Sequence, residues 1–318
     1  MPNRLFFGAA CACLLVSCSP RPDDVSMASE AAPTLSGPAA DETVGRDDGA
    51  RPELAAAAPK VFLDDQPALE TRPDDADANA VLHAPDAPAP PALPAASGDP
   101  VPLKLLMGDV AASDPIFAKV PAKYASGVRH GHKDAVASLV RMFDAAKADG
   151  VELKVVSGFR SFSDQTRIWE DKWTGKTLVE GGKLPSTVPD PRERALKILE
   201  FSSMPGTSRH HWGTDFDLNA LTNAYFDSGK GKAIHDWLKE NAAEYGFCQV
   251  YSESGPDRPR GYSEERWHWS YMPVAETYLA QYPDAVGYDR LTGFVGSEAA
   301  RDIDVIASYV QGIDPECR

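Results

Sequence analysis

Apolar residues fall into regular patterns only from about residue 101 onward. Val136, Leu139, Val140 and Phe143 recur at helical spacing, and Gly150 stands where such a helix would stop. Residues 151–155 alternate as a half-buried strand and run into Ser157-Gly158-Phe159-Arg160-Ser161. A second helix is predicted from Ser161 or Ser163, with Ile168, Trp169 and Trp173 on its buried face. Residues 174–206 contain Gly181-Gly182 and Pro185, Pro189, Pro191 and Pro205. That predicts a long loop with one helical turn near 194–199, a candidate lid. Residues 214–218 and 266–271 alternate as strands. Ile234, Trp237, Leu238 and Tyr245 mark a helix closed by Gly246, and further helical stretches are predicted near 274–281 and 298–311. Strands mixed irregularly with helices predict an α+β fold: a small mixed or antiparallel sheet flanked by helices.

Composition changes the picture upstream. Residues 19–100 hold 16 acidic and 5 basic residues, a net −11 of the whole chain's −15, and 14 of its 27 prolines. Such a stretch cannot offset its chain entropy by burial, so 18–100 is read as a disordered Pro/Ala/Asp-rich linker. The acidic balance excludes a globally basic nucleic-acid surface. No apolar run reaches the ~18 residues of a membrane span.

Arg4 precedes twelve largely apolar residues, 5–16, which read as an export signal. The run ends Leu15-Val16-Ser17-Cys18, and a small residue directly before a cysteine resembles the lipobox of bacterial lipoproteins. Residues 1–17 are therefore expected to leave, with Cys18 acylated. Ser19 after it suggests an outer-membrane anchor facing the periplasm. Cys11 and Cys13 depart with the signal, so Cys248 and Cys317 remain as an even pair in an oxidising compartment, and a disulfide between them is predicted.

Chemistry concentrates in three clusters: Ser157 to Ser161 with Gln165 behind it, Ser208-Arg209-His210-His211-Trp212-Gly213-Thr214-Asp215-Phe216-Asp217, and Glu265-Arg266-Trp267-His268-Trp269. In extended chain, residues of equal parity share a face. Trp267, Trp269 and Tyr271 then point into the core, with His268 and Ser270 opposite. Phe216 and Leu218 face one way, Asp215 and Asp217 the other. Gly213 permits a sharp turn that lets His210 and Asp217 approach one point. Two imidazoles and a carboxylate make a three-ligand set for catalytic zinc, leaving a fourth position open. Asp215 is read as an outer partner orienting a histidine, with a solvated acid the alternative. His211 is read as structural or substrate-facing. Glu265 has the wrong parity to face His268 along a regular strand. The pair His130 and His132 is not read as a metal site.

The three clusters, in this order, resemble the VanY-like D-alanyl-D-alanine carboxypeptidases, zinc peptidases of the bacterial cell wall. Their pattern Ser-x-His-x-x-Gly-x-Ala-x-Asp followed by Glu-x-x-His is met here by Ser208, His210, Gly213, Asp217, Glu265 and His268, and Ser-Gly-[Tyr/Phe]-Arg-Ser by residues 157–161. The resemblance covers about 150–275. Asp215 stands where the pattern has Ala, and Arg266 where Pro is frequent. The resemblance implies that His210, Asp217 and His268 hold one Zn²⁺ per chain, that Glu265 is the general base, and that Arg160 shares the oxyanion. It also implies that Arg160, Gln165 and Ser208 lie near substrate. The expected function is a zinc-dependent D,D-carboxypeptidase that removes the terminal D-Ala from peptidoglycan stem peptides. An L,D-carboxypeptidase or peptidoglycan endopeptidase on the same site is the near alternative, and a non-catalytic wall-binding lipoprotein the distant one. Residues 101–318 are read as the peptidase domain with a C-terminal helical extension.

Overall fold

The computed structural model describes residues 99–179 and 182–318. The signal peptide, the acylation site at Cys18 and nearly all of the linker read from the sequence lie outside the described residues. The chain runs through α1 (Leu103–Leu106), β1 (Phe117–Lys119), β2 (His130–His132), α2 (Lys133–Ala148), β3 (Val155–Ser157) and α3 (Phe162–Trp173). It continues through α4 (Leu184–Thr187), α5 (Pro191–Ile198), β4 (Asp215–Leu218), α6 (Gly229–Asn241), β5 (Phe247–Cys248), β6 (His268–Tyr271), α7 (Met272–Ala285) and α8 (Ala299–Asp302).

Four strands form one antiparallel sheet in the order β3-β4-β6-β5, and β1 pairs with β2 beside it. One face of the main sheet is apolar. Phe216, Leu218, Trp267, Trp269 and Tyr271 pack there with Leu139, Met142 and Phe143 of α2 and Ile234, Trp237 and Leu238 of α6. The period of two does the sorting, since each of these strand residues alternates with a polar one. A second core gathers Trp169 of α3, Ile198 of α5, Trp212, Tyr278 and Tyr282 of α7, Phe294 and Val310. The polar sheet face therefore lies under protein rather than under open solvent: Asp215 and Ser270 are fully buried.

Local chemistry sets most element ends. Ser161 caps α3 in a reciprocal capping box with Asp164. His132 accepts the Asp134 N–H at the start of α2, so it serves as a cap, and Gly150 at φ +77° closes the same helix. Three expectations are corrected. The alternation over 151–155 is real in burial, but ladder pairing begins only at Val155. Residues 174–206 hold more helix than a long loop with one turn: α5 takes in the turn expected near 194–199, α4 was not expected, and together they bury Leu184, Ala195 and Ile198. Pro185 and Pro191 sit in the first turns of these helices, where the missing N–H costs nothing, and Asp190 caps α5 through the Glu193 N–H at 2.9 Å. The helix expected over 298–311 is broken by Asp304 at φ +56° into α8 and a π-turn at Ile306–Val310.

Cys248 of β5 is bonded to Cys317 in the last turn of the chain, with Cα atoms 5.8 Å apart. The Asp314 N–H donating to Val250 O at 2.9 Å docks the same tail.

Candidate metal centre

Each cluster folds so that one functional group reaches a common point. After Ser208 the chain makes a 3-10 turn, Arg209–Trp212, and leaves it through Gly213 at φ +70°. A Cβ there would stand 2.7 Å from the His132 nitrogen and from the Phe117 ring, so only glycine fits. The turn delivers His210 beside β4. In the first cluster Gly158 passes so close to His130 that a Cβ would meet its carbonyl at 2.5 Å. That approach lets Gly158 O accept the Nδ1 proton of His210 at 2.9 Å, while the Arg160 N–H donates to His210 O at 3.1 Å.

The β4–β6 register places Asp217 directly opposite His268. His268 Nε2 donates to Asp215 Oδ1 at 2.9 Å. Both imidazoles thus spend one ring proton on an outward acceptor, and their other nitrogens are left to face inward. Those nitrogens, His210 Nε2 and His268 Nδ1, lie 3.4 and 3.2 Å from Asp217 Oδ1. That oxygen is buried and accepts no hydrogen bond. The three donor atoms lie within 4.8 Å of one another. An orphaned carboxylate oxygen between two inward lone pairs fits a divalent cation, and the N,N,O set suits a borderline metal.

Glu265 reaches the same place by a turn. The strand begins at His268, and the His268 N–H bonds Glu265 O at 3.1 Å, so a spacing of three brings the two side chains together. Glu265 Oε2 lies 3.3 Å from His268 Nδ1. Asn223 braces the turn from below, donating to Glu264 O at 2.8 Å and accepting the Arg266 N–H at 3.1 Å.

Charge follows from burial and neighbours. Burial lowers His210, with Arg160 adding to the effect, so this ring is neutral. Burial would likewise lower His268, but its hydrogen bond to Asp215 and the nearby carboxylates of Asp217 and Glu265 hold it well above the ordinary histidine range. Burial would raise Asp217, yet His210 and His268 hold it well below the usual carboxylate range. Glu265 is raised by burial, against the opposing pull of His268.

Asp215 is not solvated. It is fully buried, and it accepts from His268 Nε2, from Arg209 Nε at 3.0 Å, from Ser270 Oγ at 3.0 Å and from Thr214 Oγ1 at 2.5 Å. His211 is a strut: its Nδ1 donates to Arg160 O at 2.8 Å and its Nε2 accepts the Gly206 N–H at 3.1 Å. Burial brings its pKa down to about 3.

The site opens into a cleft of about 580 Å³ lined by Arg160, His210, Asp217, Glu265 and His268. Arg160 Nη2 lies 3.5 Å from Asp217 Oδ2 and its Nη1 donates to Gln165 Oε1 at 2.8 Å. Gln165 is fully buried and donates onward to Ser203 O at 2.8 Å, so it holds Arg160 and does not line the cleft. Ser208 is sealed from solvent, its Oγ has no partner, and it lies outside the cleft lining. Lys172, Phe201, Ser202, Asn223 and Tyr251 also line the cleft and were not read from the sequence, and Trp267, read as core, borders it as well. Lys172 alone carried a signal, standing two helical turns beyond Gln165.

Residues 129–274 match the family described as VanY: D-alanyl-D-alanine carboxypeptidase, and the match takes in all three clusters. The similarity to this family is carried by that stretch of the chain. The chain is 30% identical over 175 residues to a putative carboxypeptidase, YodJ, of Bacillus subtilis, covering 52% of this chain and 56% of that protein. It is 32% identical over 137 residues to a D-alanyl-D-alanine carboxypeptidase of Enterococcus faecalis, covering 42% and 45%. The chain thus spans about half the length of the curated relatives it matches. Among solved structures, a vancomycin-resistance D,D-pentapeptidase VanY in complex with Zn(II) is 27% identical, with a TM-score of 0.37, over 57% of this chain and 93% of that one.

Proposed function

We propose that this chain is a zinc-dependent D,D-carboxypeptidase that removes the terminal D-Ala from peptidoglycan stem peptides. The observation that carries the reading is the convergence of His210, Asp217 and His268, each imidazole locked by an outward hydrogen bond, with Glu265 at their edge in an open cleft. His210 Nε2, Asp217 Oδ1 and His268 Nδ1 would hold the ion. A bound Zn²⁺ supplies Lewis acidity toward water and the scissile carbonyl.

The chain's own residues do the rest. Glu265 Oε2, 3.3 Å from His268 Nδ1 at the edge of the donor set, takes the proton of the attacking water. It returns that proton to the leaving amine. Arg160, held in place by Gln165, offers guanidinium donors to the developing oxyanion. General-base catalysis of this kind contributes roughly 10²- to 10⁴-fold.

Incubation of the purified protein with a stem pentapeptide, followed by mass spectrometry, tests the reading. Release of one D-Ala that stops with a chelator and in Glu265→Ala supports it. No release, or release that persists in the variant, overturns it. The same spectra separate the D,D activity from cleavage of the tetrapeptide or of a crosslink. We also propose export and lipid anchoring through Cys18. Cys18→Ser should then leave the protein unlabelled by radioactive palmitate and free of the membrane fraction, and retained label would argue against the anchor.

A further inference from the structure

Helix α3 presents one stripe to the site, because Gln165, Ile168 and Lys172 stand at i, i+3 and i+7. Gln165 holds Arg160. Ile168 and Lys172 reach the cleft itself and share its lining with His210, Asp217, Glu265 and His268. The two cations of the cleft differ in how they are balanced. Arg160 faces Asp217. Lys172 Nζ donates to Ser202 Oγ, and among the described residues it enters no ion pair. An ammonium has three donors, so this bond leaves two of them for a ligand.

The carboxylates of the cleft are already committed. Asp217 belongs to the donor set, and Glu265 borders it. Burial draws the Lys172 pKa down, Arg160 adds to the fall, and Glu265 only partly opposes it. A half-buried ammonium without a direct ion pair is costly, and an anionic ligand removes that cost. The volume suits a short peptide end, since about 580 Å³ falls in the range of small-ligand sites.

We propose that Lys172 is the receptor for the free C-terminal carboxylate of the substrate peptide, the contact that makes the enzyme cut at a chain end. The proposal rests on the peptidase reading above, but its test does not require turnover. The zinc-loaded full chain carrying Glu265→Gln is titrated calorimetrically with an N-acetylated peptide ending in D-Ala-D-Ala. The peptide is used as the free acid and as the C-terminal amide. With Lys172 present, the acid should bind about 10- to 100-fold tighter than the amide, the scale of one charge-assisted hydrogen-bonded pair.

Lys172→Met should abolish that preference while leaving amide binding within about threefold, and Lys172→Arg should retain most of it. A role limited to propping Ser202 would weaken acid and amide alike. Equal binding of the two peptides, no binding of either, or a preference that survives Lys172→Met overturns the proposal. So does a preference that tracks a side-chain carboxylate farther up the peptide. D-Ala release by the protein with Glu265 intact reports separately on the activity itself.

Discussion

Asp215 and Asp217 are two residues apart on one strand face, yet they act on different shells of the same site. Asp217 turns an oxygen without a partner toward both imidazoles, whereas Asp215 is saturated with donors and grips the back of His268. Burial would raise Asp215, but Arg209 and His268 hold it far below the usual carboxylate range. Asp215→Asn keeps the shape and removes the charge, so it should weaken zinc binding about 10- to 100-fold in competition with a chromophoric chelator. Asp215→Ala restores the residue of the family pattern but strands Arg209 inside the protein. It should cost about 3–5 kcal/mol of folding stability in urea titrations as well. His211 sets a pH limit. Its folded pKa of about 3 lies below the ordinary 6.5, so the unfolded chain binds more protons between these values, and stability falls as pH falls through that window. Urea unfolding at pH 6.5 and at pH 5, both with chelator, should show His211→Gln losing about 2 kcal/mol less than the parent.

At the scale of elements, the site depends on two turns. Gly213→Ala would force a Cβ into a left-handed turn and against His132 and Phe117. It should lower the melting temperature and abolish high-affinity zinc binding together, because the turn spaces His210 from Asp217. The parity of β4 and of β6 was legible in the chain itself, since strand geometry dictates which residues share a face. The Glu265 turn was not. Alternation suggests a strand from 266, whereas the ladder starts at His268, and only a turn reconciles a spacing of three with convergence. Prolines 185 and 191 misled in the opposite direction, because a breaker in mid-helix is a good starter at the first turn. Lys172 shares the helix face of Gln165 but went unread for a further reason: the pattern of a helix shows which face is apolar, not what lies across from the other one.

On the scale of the whole molecule, the Cys248–Cys317 bond ties the final turn to the strand next to His268's own, closing a loop with a sequence separation of 69. Chain-entropy arguments give such a closure about 4 kcal/mol. Reduction, or Cys248→Ser with Cys317→Ser, should lower unfolding stability by that order in denaturant titrations. The overall architecture followed from pattern because the apolar sheet face and its two covering helices obey simple periods. The second core did not, since α1, α4 and α8 are only four residues each and carry too little sequence to show a period.

The register of β4 against β6 has one more consequence. Sliding β4 by a single residue would turn Phe216 and Leu218 toward the donor set and sink both aspartates in hydrocarbon. A mispaired sheet would therefore lose the convergence of His210, Asp217 and His268 on one point.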